Sequence, residues 1–381
     1  MLRLLHTADV RLGARHEDLG EAGAAMRERQ HAAFSAAVDL ALAEGVDLVL
    51  VAGDLFDANT ASRRTVEHAA AELARLAAAG IRTVAVPGDH DPYTRASVYR
   101  SHDLPGLVGD GMLTVLTPAA PWVHLEALGV LVVGPADPAR PSSGPFASPA
   151  DAAVPPAPWR VGLLHAVPGD GPGDVRETSL EASGLDYAAL GGEPTASSGR
   201  AGATAWAVPG SPEPVALGHD GPGTVTLVAL DDRPPDGKSV RLERRAVGTA
   251  RHGVLEADVA ELASQEDLVA RLLAAADPEL VLDVRLAGER PDDLVLDLAA
   301  AEDAVRGRFL RTRLDDRSRP PLTAGALPPP ETILGAFIRN IEGRIADLEA
   351  SGAAEAHDEA AELREVLRMG RRLLAGEGVA L

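Results

Sequence analysis

The chain has 381 residues, of which 36 are basic and 57 acidic, so its formal net charge is −21, and it contains no cysteine. This length fits two or three domains with hydrophobic cores. The absence of cysteine excludes disulfides, thiolate zinc sites, iron–sulfur clusters and cysteine nucleophiles. The apolar runs are far shorter than the roughly 20 residues that span a membrane, and the N-terminal stretch is unlike a signal peptide. We therefore expect a soluble cytoplasmic protein that does not bind membranes.

The negative charge bears on nucleic-acid binding. Proteins that bind nucleic acids without sequence preference usually present Lys and Arg to the phosphates, whereas this chain is acidic overall. Of its basic residues only Lys238 is a lysine, which together with the many Ala, Gly and Pro residues indicates a GC-rich genome. We therefore expect any DNA contact to depend on a local arginine patch or on a partner protein.

The first 90 residues alternate short apolar strands with amphipathic helices. Strands are predicted at Leu2–Ala8, Val46–Ala52 and Ile81–Val86, and helices at Ala24–Glu44 and Ser62–Ala79. Strands that alternate with helices pair in parallel and form a layered α/β sheet. In such sheets the ligands gather at the carboxyl ends of the strands.

The predicted elements after residue 110 are shorter, and their order changes near residue 254. Residues 254–314 repeat the order strand, helix, strand, helix, strand on a smaller scale. We predict a first domain at residues 1–247 and a small α/β capping domain at residues 248–319. The strands expected in the rest of the first domain are Met112–Leu116, Gly129–Val133, Arg160–His165, Tyr187–Gly191 and a hairpin of Thr224–Leu230 with Ser239–Ala246.

The C-terminal part begins with prolines. Residues 320–330 read as a stiff Pro-rich linker, and residues 331–381 as a helical hairpin with an apolar face. This face either packs on the capping domain or docks on a partner protein, and the sequence leaves both open. The apolar residues at helical spacing are Ile333, Leu334, Phe337, Ile338, Ile341, Ile345 and Leu348, followed by Leu363, Val366, Leu367, Leu373 and Leu374.

Carboxylates and histidines follow several of the predicted strands. Asp9 follows the first strand, Asp54 the second, Asp89 and His90 the third, and His165 ends a later one. Because parallel strands bring their carboxyl ends to one edge, these side chains should converge. Crowded carboxylates repel one another unless a cation offsets them. Oxygen and imidazole ligands suit a divalent Mn, Fe or Zn ion.

The strings Gly53-Asp54-Leu55-Phe56-Asp57 and Pro87-Gly88-Asp89-His90-Asp91 are more specific than single residues. The sequence resembles the calcineurin-like metallophosphoesterases, and within them the bacterial SbcD/YhaO-type DNA-repair exonucleases. The resemblance implies a layered α/β sandwich of the αββα type with a small α/β cap and a C-terminal helical hairpin. It also implies that an SbcC-type ATPase is the partner, bound through the C-terminal helices, and that DNA is reached through this complex.

The same resemblance implies two metal sites, several of whose ligand positions are substituted here. Asp54 would bridge the two ions, His90 would be the catalytic histidine, and Asp57 and Asp91 would support the ligands from behind. At the first metal site, Asp9 and Asp54 match the family ligands, whereas Arg11 and Pro194 stand at the other two ligand positions. At the second metal site, Asp54, Asp89 and His165 match the family ligands, whereas Gly192 stands at the fourth ligand position.

Charge supports a single ion. Asp9, Asp54 and Asp89 carry −3 and Arg11 carries +1, which leaves −2 for one divalent cation, with Mn favoured. We hypothesise that Arg11 occupies the vacated position of the first metal and pairs with Asp9 or Asp54. The alternative is that Arg11 points to solvent and that no metal binds.

Three functions remain open at this point. The first is a degenerate SbcD-like subunit of an ATPase complex in DNA repair, with weak or lost nuclease activity. The second is an active metal-dependent DNA exonuclease or endonuclease, and the third is a small-molecule phosphoesterase. The sequence does not decide whether the chain is an enzyme or whether it forms a homodimer.

Overall fold

The structure is a computed structural model. It describes residues 1–16, 22–136, 144–146, 156–214, 221–233, 237–291, 294–319, 328–329, 331–351 and, near the C-terminus, residues 359, 360, 362–364, 366, 367 and 370. Most of the predicted linker at residues 320–330 and much of the second C-terminal helix therefore lie outside the described residues.

The elements follow the predicted alternation through most of the chain. The strands are β1 (Leu2–Thr7), β2 (Leu48–Ala52), β3 (Arg82–Val86), β4 (Leu113–Val115), β5 (Trp122–Leu125), β6 (Val130–Val133), β7 (Trp159–His165), β8 (Tyr187–Gly191), β9 (Ser197–Ala201), β10 (Thr204–Val208), β11 (Gly221–Asp231), β12 (Ser239–Asp258), β13 (Asp277–Ala287) and β14 (Phe309–Asp316). The helices are α1 (Ala22–Glu44), α2 (Arg63–Ala78), α3 (Val98–Ser101), α4 (Leu104–Val108), α5 (Glu177–Ala182), α6 (Gln265–Ala274), α7 (Leu298–Ala304) and α8 (Ile333–Ser351).

The strands form two sheets. The eight-stranded sheet has the order β14-β13-β12-β11-β1-β2-β3-β4, and the six-stranded sheet has the order β5-β6-β7-β8-β10-β9. Strands β1 to β4 are parallel to their neighbours, as the alternating pattern predicts, and β11 closes antiparallel on β1. In the second sheet β6, β7, β8 and β10 are parallel, whereas β5 and β9 pair antiparallel at its edges.

Hydrophobic clusters fill the spaces between the layers. One cluster lies between the two sheets and includes Leu4, Leu50 and Val161, all with no exposed surface. Another packs helices α1 and α2 on the outer face of the first sheet, through residues such as Phe34 and Leu73. A third covers the outer face of the second sheet. The predicted layered α/β sandwich is therefore confirmed.

Local signals explain where α2 begins and ends. The Ser62 side chain accepts a hydrogen bond from the Thr65 N–H at 3.2 Å, which caps the first turn. Gly80 follows the helix with φ of +78°, a conformation that costs glycine little. Strands β5, β9 and β10 were not predicted, because each has only four or five residues and Ser197–Ala201 in addition contains little apolar sequence.

The chain divides into two compact units. The first comprises Met1–Leu255, Leu272–Val284 and Glu302–Leu314, and the second Glu256–Arg271, Arg285–Ala301 and Asp315–Leu381. Elements β12, α6, β13, α7 and β14 have the order expected for residues 254–314. Among the described residues, no helix is long and apolar enough to cross a membrane. The predicted cytoplasmic location stays a prediction.

The apolar face of the C-terminal hairpin has a partner within its own unit. In α8, Ile341 and Ile345 are buried, and they cluster with Ala360, Leu363 and Leu367 from the segment that follows. Ile341 and Ile345 are thus covered by residues of the hairpin itself. At the start of α8, Ile333 remains 78% exposed.

Candidate metal centre

Turns after β1 and β2 place the first two carboxylates side by side. The Asp9 N–H donates to the Gly53 carbonyl at 3.2 Å, and the Arg11 N–H donates to the Asp54 carbonyl at 2.8 Å. Asp9, Arg11 and Asp54 all have φ of 51° or 52°, the left-handed region that non-glycine residues rarely adopt. Such strained backbone concentrates at functional sites, where the surrounding structure holds it in place.

Three predicted ligands come together at this edge of the sandwich. Asp9, Asp54 and His165 each offer one ligand atom, and these atoms lie within 4.8 Å of one another. The Asp9 and Asp54 residues are 6% and 2% exposed. The Nε2 atom of His165 lies 3.6 Å from Asp54 Oδ2. The three side chains therefore form a compact, buried donor set.

The orientation of His165 suits a metal ligand. Its Nδ1 atom lies 2.9 Å from the Ala52 carbonyl oxygen, which can only accept, so Nδ1 carries the proton. Nε2 then faces Asp54 with its lone pair when the ring is neutral. A histidine ligand held from behind through its other nitrogen is usual in metalloproteins. Two carboxylates and one imidazole match the ligand preferences of a divalent Mn, Fe or Zn ion, so the residues present fit one such ion.

Electrostatics within the donor set favour a cation. Burial raises the pKa of Asp9 to about 6, against the opposing effects of His165 and the Gly192 N–H. Burial lowers the pKa of His165, but the charges of Asp54 and Asp9 outweigh it, so that its pKa is raised overall. Both shifts favour the protonated forms of these groups in the absence of a metal. A divalent cation would supply positive charge in place of those protons.

Glycines allow the loops to approach the donor set. A Cβ atom on Gly88 would overlap the Asp54 carboxylate, and one on Gly53 would overlap the His165 ring. The glycines of both sequence strings are therefore required by this close approach of backbone to ligands.

Asp89 and His90, from the loop after β3, lie at the exposed side of the site. The His90 N–H donates to Asp54 Oδ1 at 2.9 Å, and its ring is 42% exposed with Nε2 at 4.0 Å from Asp54 Oδ2. The side chain of Asp89 is exposed and does not belong to the close group of three. Its charge nevertheless acts on His165, because it contributes to the raised pKa of that residue. The ligand role of Asp89 and the catalytic role of His90 stay predictions.

The expected pairing of Arg11 with Asp9 or Asp54 is wrong. The Arg11 guanidinium instead donates to Asp57 Oδ1 from Nε at 2.9 Å and from Nη2 at 2.7 Å. Asp57 follows in the same loop as Asp54, and its carboxylate is less buried, which lowers the cost of forming this pair. The guanidinium charge still acts at short range on Asp9, whose pKa it lowers as a minor effect.

Arg11 also selects the tautomer of a neutral His90 ring. Its Nη2 atom lies 3.1 Å from His90 Nδ1. Because a guanidinium can only donate, His90 Nδ1 must accept, and a neutral ring then carries its proton on Nε2. His90 therefore presents an N–H group at the open side of the site.

Asp91 holds the loops after β2 and β3 together. Its fully buried carboxylate accepts from the Gly88 N–H at 2.7 Å, the Phe56 N–H at 3.0 Å and the Tyr99 hydroxyl at 2.6 Å. Burial raises the pKa of Asp91 in spite of these three donors. The supporting role of Asp91 stays a prediction.

The two remaining substituted positions offer no side-chain ligand. Gly192, with φ of +104°, donates its N–H to Asp9 Oδ2 at 2.9 Å. Pro194 carries no donor atom in its side chain. The neighbouring Glu193 is exposed, and His219, another residue with metal-ligand chemistry, lies outside the described residues.

One supporting contact was not predicted. The Gln30 side chain, 1% exposed on α1, donates to the Arg11 carbonyl at 3.2 Å, and its Oε1 lies 3.0 Å from His16 Nε2. These bonds hold the loop that carries Asp9 and Arg11. The sequence signal for this contact is a glutamine on the apolar face of α1. A buried amide needs hydrogen-bond partners, so such a glutamine indicates a polar contact inside the fold.

Comparisons with known proteins show the family of the chain. A profile of the family described as "Calcineurin-like phosphoesterase" matches residues 2–193, half of the chain. The chain therefore belongs to the calcineurin-like phosphoesterase family.

Curated relatives match a shorter segment. The DNA double-strand break repair protein Mre11 of Saccharolobus solfataricus is 34% identical over 105 residues, which is 27% of this chain and 26% of that protein. Mre11 of Aeropyrum pernix is 41% identical over 91 residues, or 24% of this chain and 21% of that protein. The chain thus matches about a quarter of the length of these relatives. The crystal structure of the protein TT1561 of Thermus thermophilus is similar at 19% identity, with a TM-score of 0.39, over 65% of this chain and 99% of that one.

Proposed function

We propose that this protein is an SbcD/Mre11-like subunit of a DNA-repair complex that binds one divalent metal ion and has weak or lost nuclease activity. The proposal rests on the difference between the retained ligand positions and the substituted ones. Asp9, Asp54 and His165 form a compact donor set, whereas Arg11 is bonded to Asp57. Family membership and the Mre11 relatives support the DNA-repair class.

Asp9, Asp54 and His165 would hold the ion, Asp89 would be a further ligand, and Mn²⁺ suits these donors. A divalent ion bound there would act as a Lewis acid on a phosphoryl oxygen. His90 presents its Nε2–H at the open side, where it would donate to a phosphate or leaving-group oxygen. Arg11 would keep His90 in this tautomer through the contact to Nδ1.

The expected weakness of catalysis follows from the substituted positions. Two-metal phosphoesterases stabilise both the attacking and the leaving oxygen of the in-line displacement. Arg11, Gly192 and Pro194 replace three of the ligands that the family pattern implies. Loss of a single preorganised electrostatic contact typically costs 100-fold or more in rate, so one ion should leave little hydrolysis.

A nuclease assay tests this function. We expect the full chain with Mn²⁺ to degrade single- and double-stranded DNA no faster than His90→Ala and His165→Ala variants, with an archaeal Mre11 protein as positive control. Robust hydrolysis by the wild type that both substitutions abolish would overturn the proposal in favour of an active exonuclease or endonuclease. Hydrolysis of a small phosphodiester alone would favour the third function, a small-molecule phosphoesterase.

We further propose that the partner is an SbcC-type ATPase bound through residues 331–381. The exposed start of α8, where Ile333 is 78% exposed, supports a contact there. Deleting residues 331–381 should abolish co-purification with such an ATPase encoded nearby, while Mn²⁺ binding persists. Equal binding by the truncated chain would contradict the docking role. A homodimer is the other assembly to be distinguished, by measuring molecular mass in solution.

A further inference from the structure

A cavity of about 370 Å³ lies where β9 and β10 meet β11 and β12, apart from the metal donor set. Its walls offer three hydroxyl groups and one guanidinium group, and no carboxylate is among the described residues that line it. The lining residues are Ser197, Ser198, Val208, Thr226, Leu242 and Arg244.

The polar groups of the cavity are placed for a ligand. Thr226 is only 5% exposed, and its side chain lines the cavity. Ser197 and Ser198 are exposed on the edge strand β9.

Two arginines at this edge lack carboxylate partners within the described residues. Arg244 Nη2 donates to the Ala196 carbonyl at 3.1 Å, and its side chain lines the cavity. Arg200, on β9, reaches the Val240 carbonyl from Nη2 at 3.5 Å. Most other arginines of this acidic chain with described contacts pair with Asp or Glu. These two therefore form a local positive patch on a chain of net charge −21.

The cavity lies close to the metal donor set along the chain and the sheet. Ser197 follows the substituted position Pro194 by three residues. Thr226 pairs with His6, which precedes Asp9 by three residues. Neighbouring strands lie about 5 Å apart, so Thr226 is close to the strand that leads to Asp9.

We propose that this cavity binds a backbone phosphate of a nucleic-acid strand that leads to the metal centre. The inference rests on the proposed function and deepens it by assigning a path for the substrate. Arg244 supplies the charge, and the hydroxyls of Ser197, Ser198 and Thr226 donate to phosphate oxygens. Binding of this kind carries no sequence information, because only the phosphate is contacted.

The test uses the full chain and a fluorescein-labelled single-stranded DNA oligonucleotide, titrated by fluorescence anisotropy at several salt concentrations. Arg244→Met should weaken binding roughly five- to tenfold and reduce the slope of log K against log salt by about 0.7. Thr226→Val should weaken binding in the same direction, and Arg244→Lys should retain most of the affinity. The matched control is Arg241→Met, which removes the same charge from the opposite face of β12.

Equal affinity of wild type and Arg244→Met, or an equal loss in Arg241→Met, would overturn the proposal. No DNA binding by the wild type would overturn it as well. A parallel titration with inorganic phosphate distinguishes a free phosphate from a nucleic-acid phosphate. If Arg244→Met weakens the binding of inorganic phosphate but leaves the affinity for DNA unchanged, the nucleic-acid assignment is overturned. Mn²⁺ binding, measured on the same samples, should be equal in all variants, so that failure of this site is distinguishable from failure of the metal centre.

Discussion

Asp54→Asn is expected to lower the affinity of the chain for Mn²⁺ by more than 100-fold. Asp54 is one of the three donors, with its Oδ2 at 3.6 Å from His165 Nε2. An amide oxygen is neutral and binds a divalent cation far less strongly than a carboxylate. Loss of a supporting residue behind a ligand already costs 10- to 100-fold, so loss of a ligand charge should cost more. Isothermal titration calorimetry measures the effect directly.

The substitution should leave the fold intact, because asparagine keeps the Oδ1 acceptor that the His90 N–H uses. Asp57→Asn is the matched control, since it changes a carboxylate of the same loop that bonds to Arg11. Its affinity for Mn²⁺ should stay within about threefold of the wild type, or roughly 0.7 kcal/mol. An equal loss in both variants would mean that the effect is general loop disruption, and unchanged affinity in Asp54→Asn would place the ion elsewhere.

We expect a second large effect at acidic pH, where His6 should lower the stability of the fold. This residue of β1 is fully buried between the sheets, and its Nδ1 lies 2.7 Å from the hydroxyl of Tyr187 on β8. Burial lowers the pKa of His6 to about 3, from 6.5 in the unfolded chain. Between these values the unfolded chain binds a proton that the folded chain excludes. The stability is therefore complete above pH 6.5 and declines as the pH falls toward 3.

Each pH unit below the unfolded pKa should remove about 1.4 kcal/mol of unfolding free energy through His6, for a total on the order of 5 kcal/mol. Urea denaturation at several pH values measures this loss. His6→Gln should lack this component, so that its stability relative to the wild type improves as the pH falls. Tyr187→Phe is the control, since it removes the hydrogen-bond partner but keeps the titrating ring. A constant difference between wild type and His6→Gln from neutral to mildly acidic pH would refute the assignment.

The donor set could be predicted from the sequence because the same rule applies to all three of its residues. Asp9 and Asp54 follow parallel strands, His165 ends another, and side chains at the carboxyl ends of such strands share an edge. The layered fold followed from the same alternation of strands and helices. These predictions needed only periodicity and order along the chain.

The partner of Arg11 could not be predicted in this way. A long, flexible side chain can reach several carboxylates, and the outcome depends on the left-handed turns at Asp9, Arg11 and Asp54. Similarly, the contact between His6 and Tyr187 depends on how two sheets pack face to face. The cavity beside Arg244 depends on the unpredicted edge strand β9. Contacts between segments distant in sequence decided each of these features.

Metal stoichiometry is the most direct test of the one-ion site. The purified full chain should be loaded with Mn²⁺, dialysed, and analysed by inductively coupled plasma mass spectrometry, alongside His165→Ala. Three donors converge at Asp9, Asp54 and His165, so the predicted result is one ion per wild-type chain and none in the variant. Two tightly bound ions per chain, no ion, or one ion that persists in His165→Ala would contradict it.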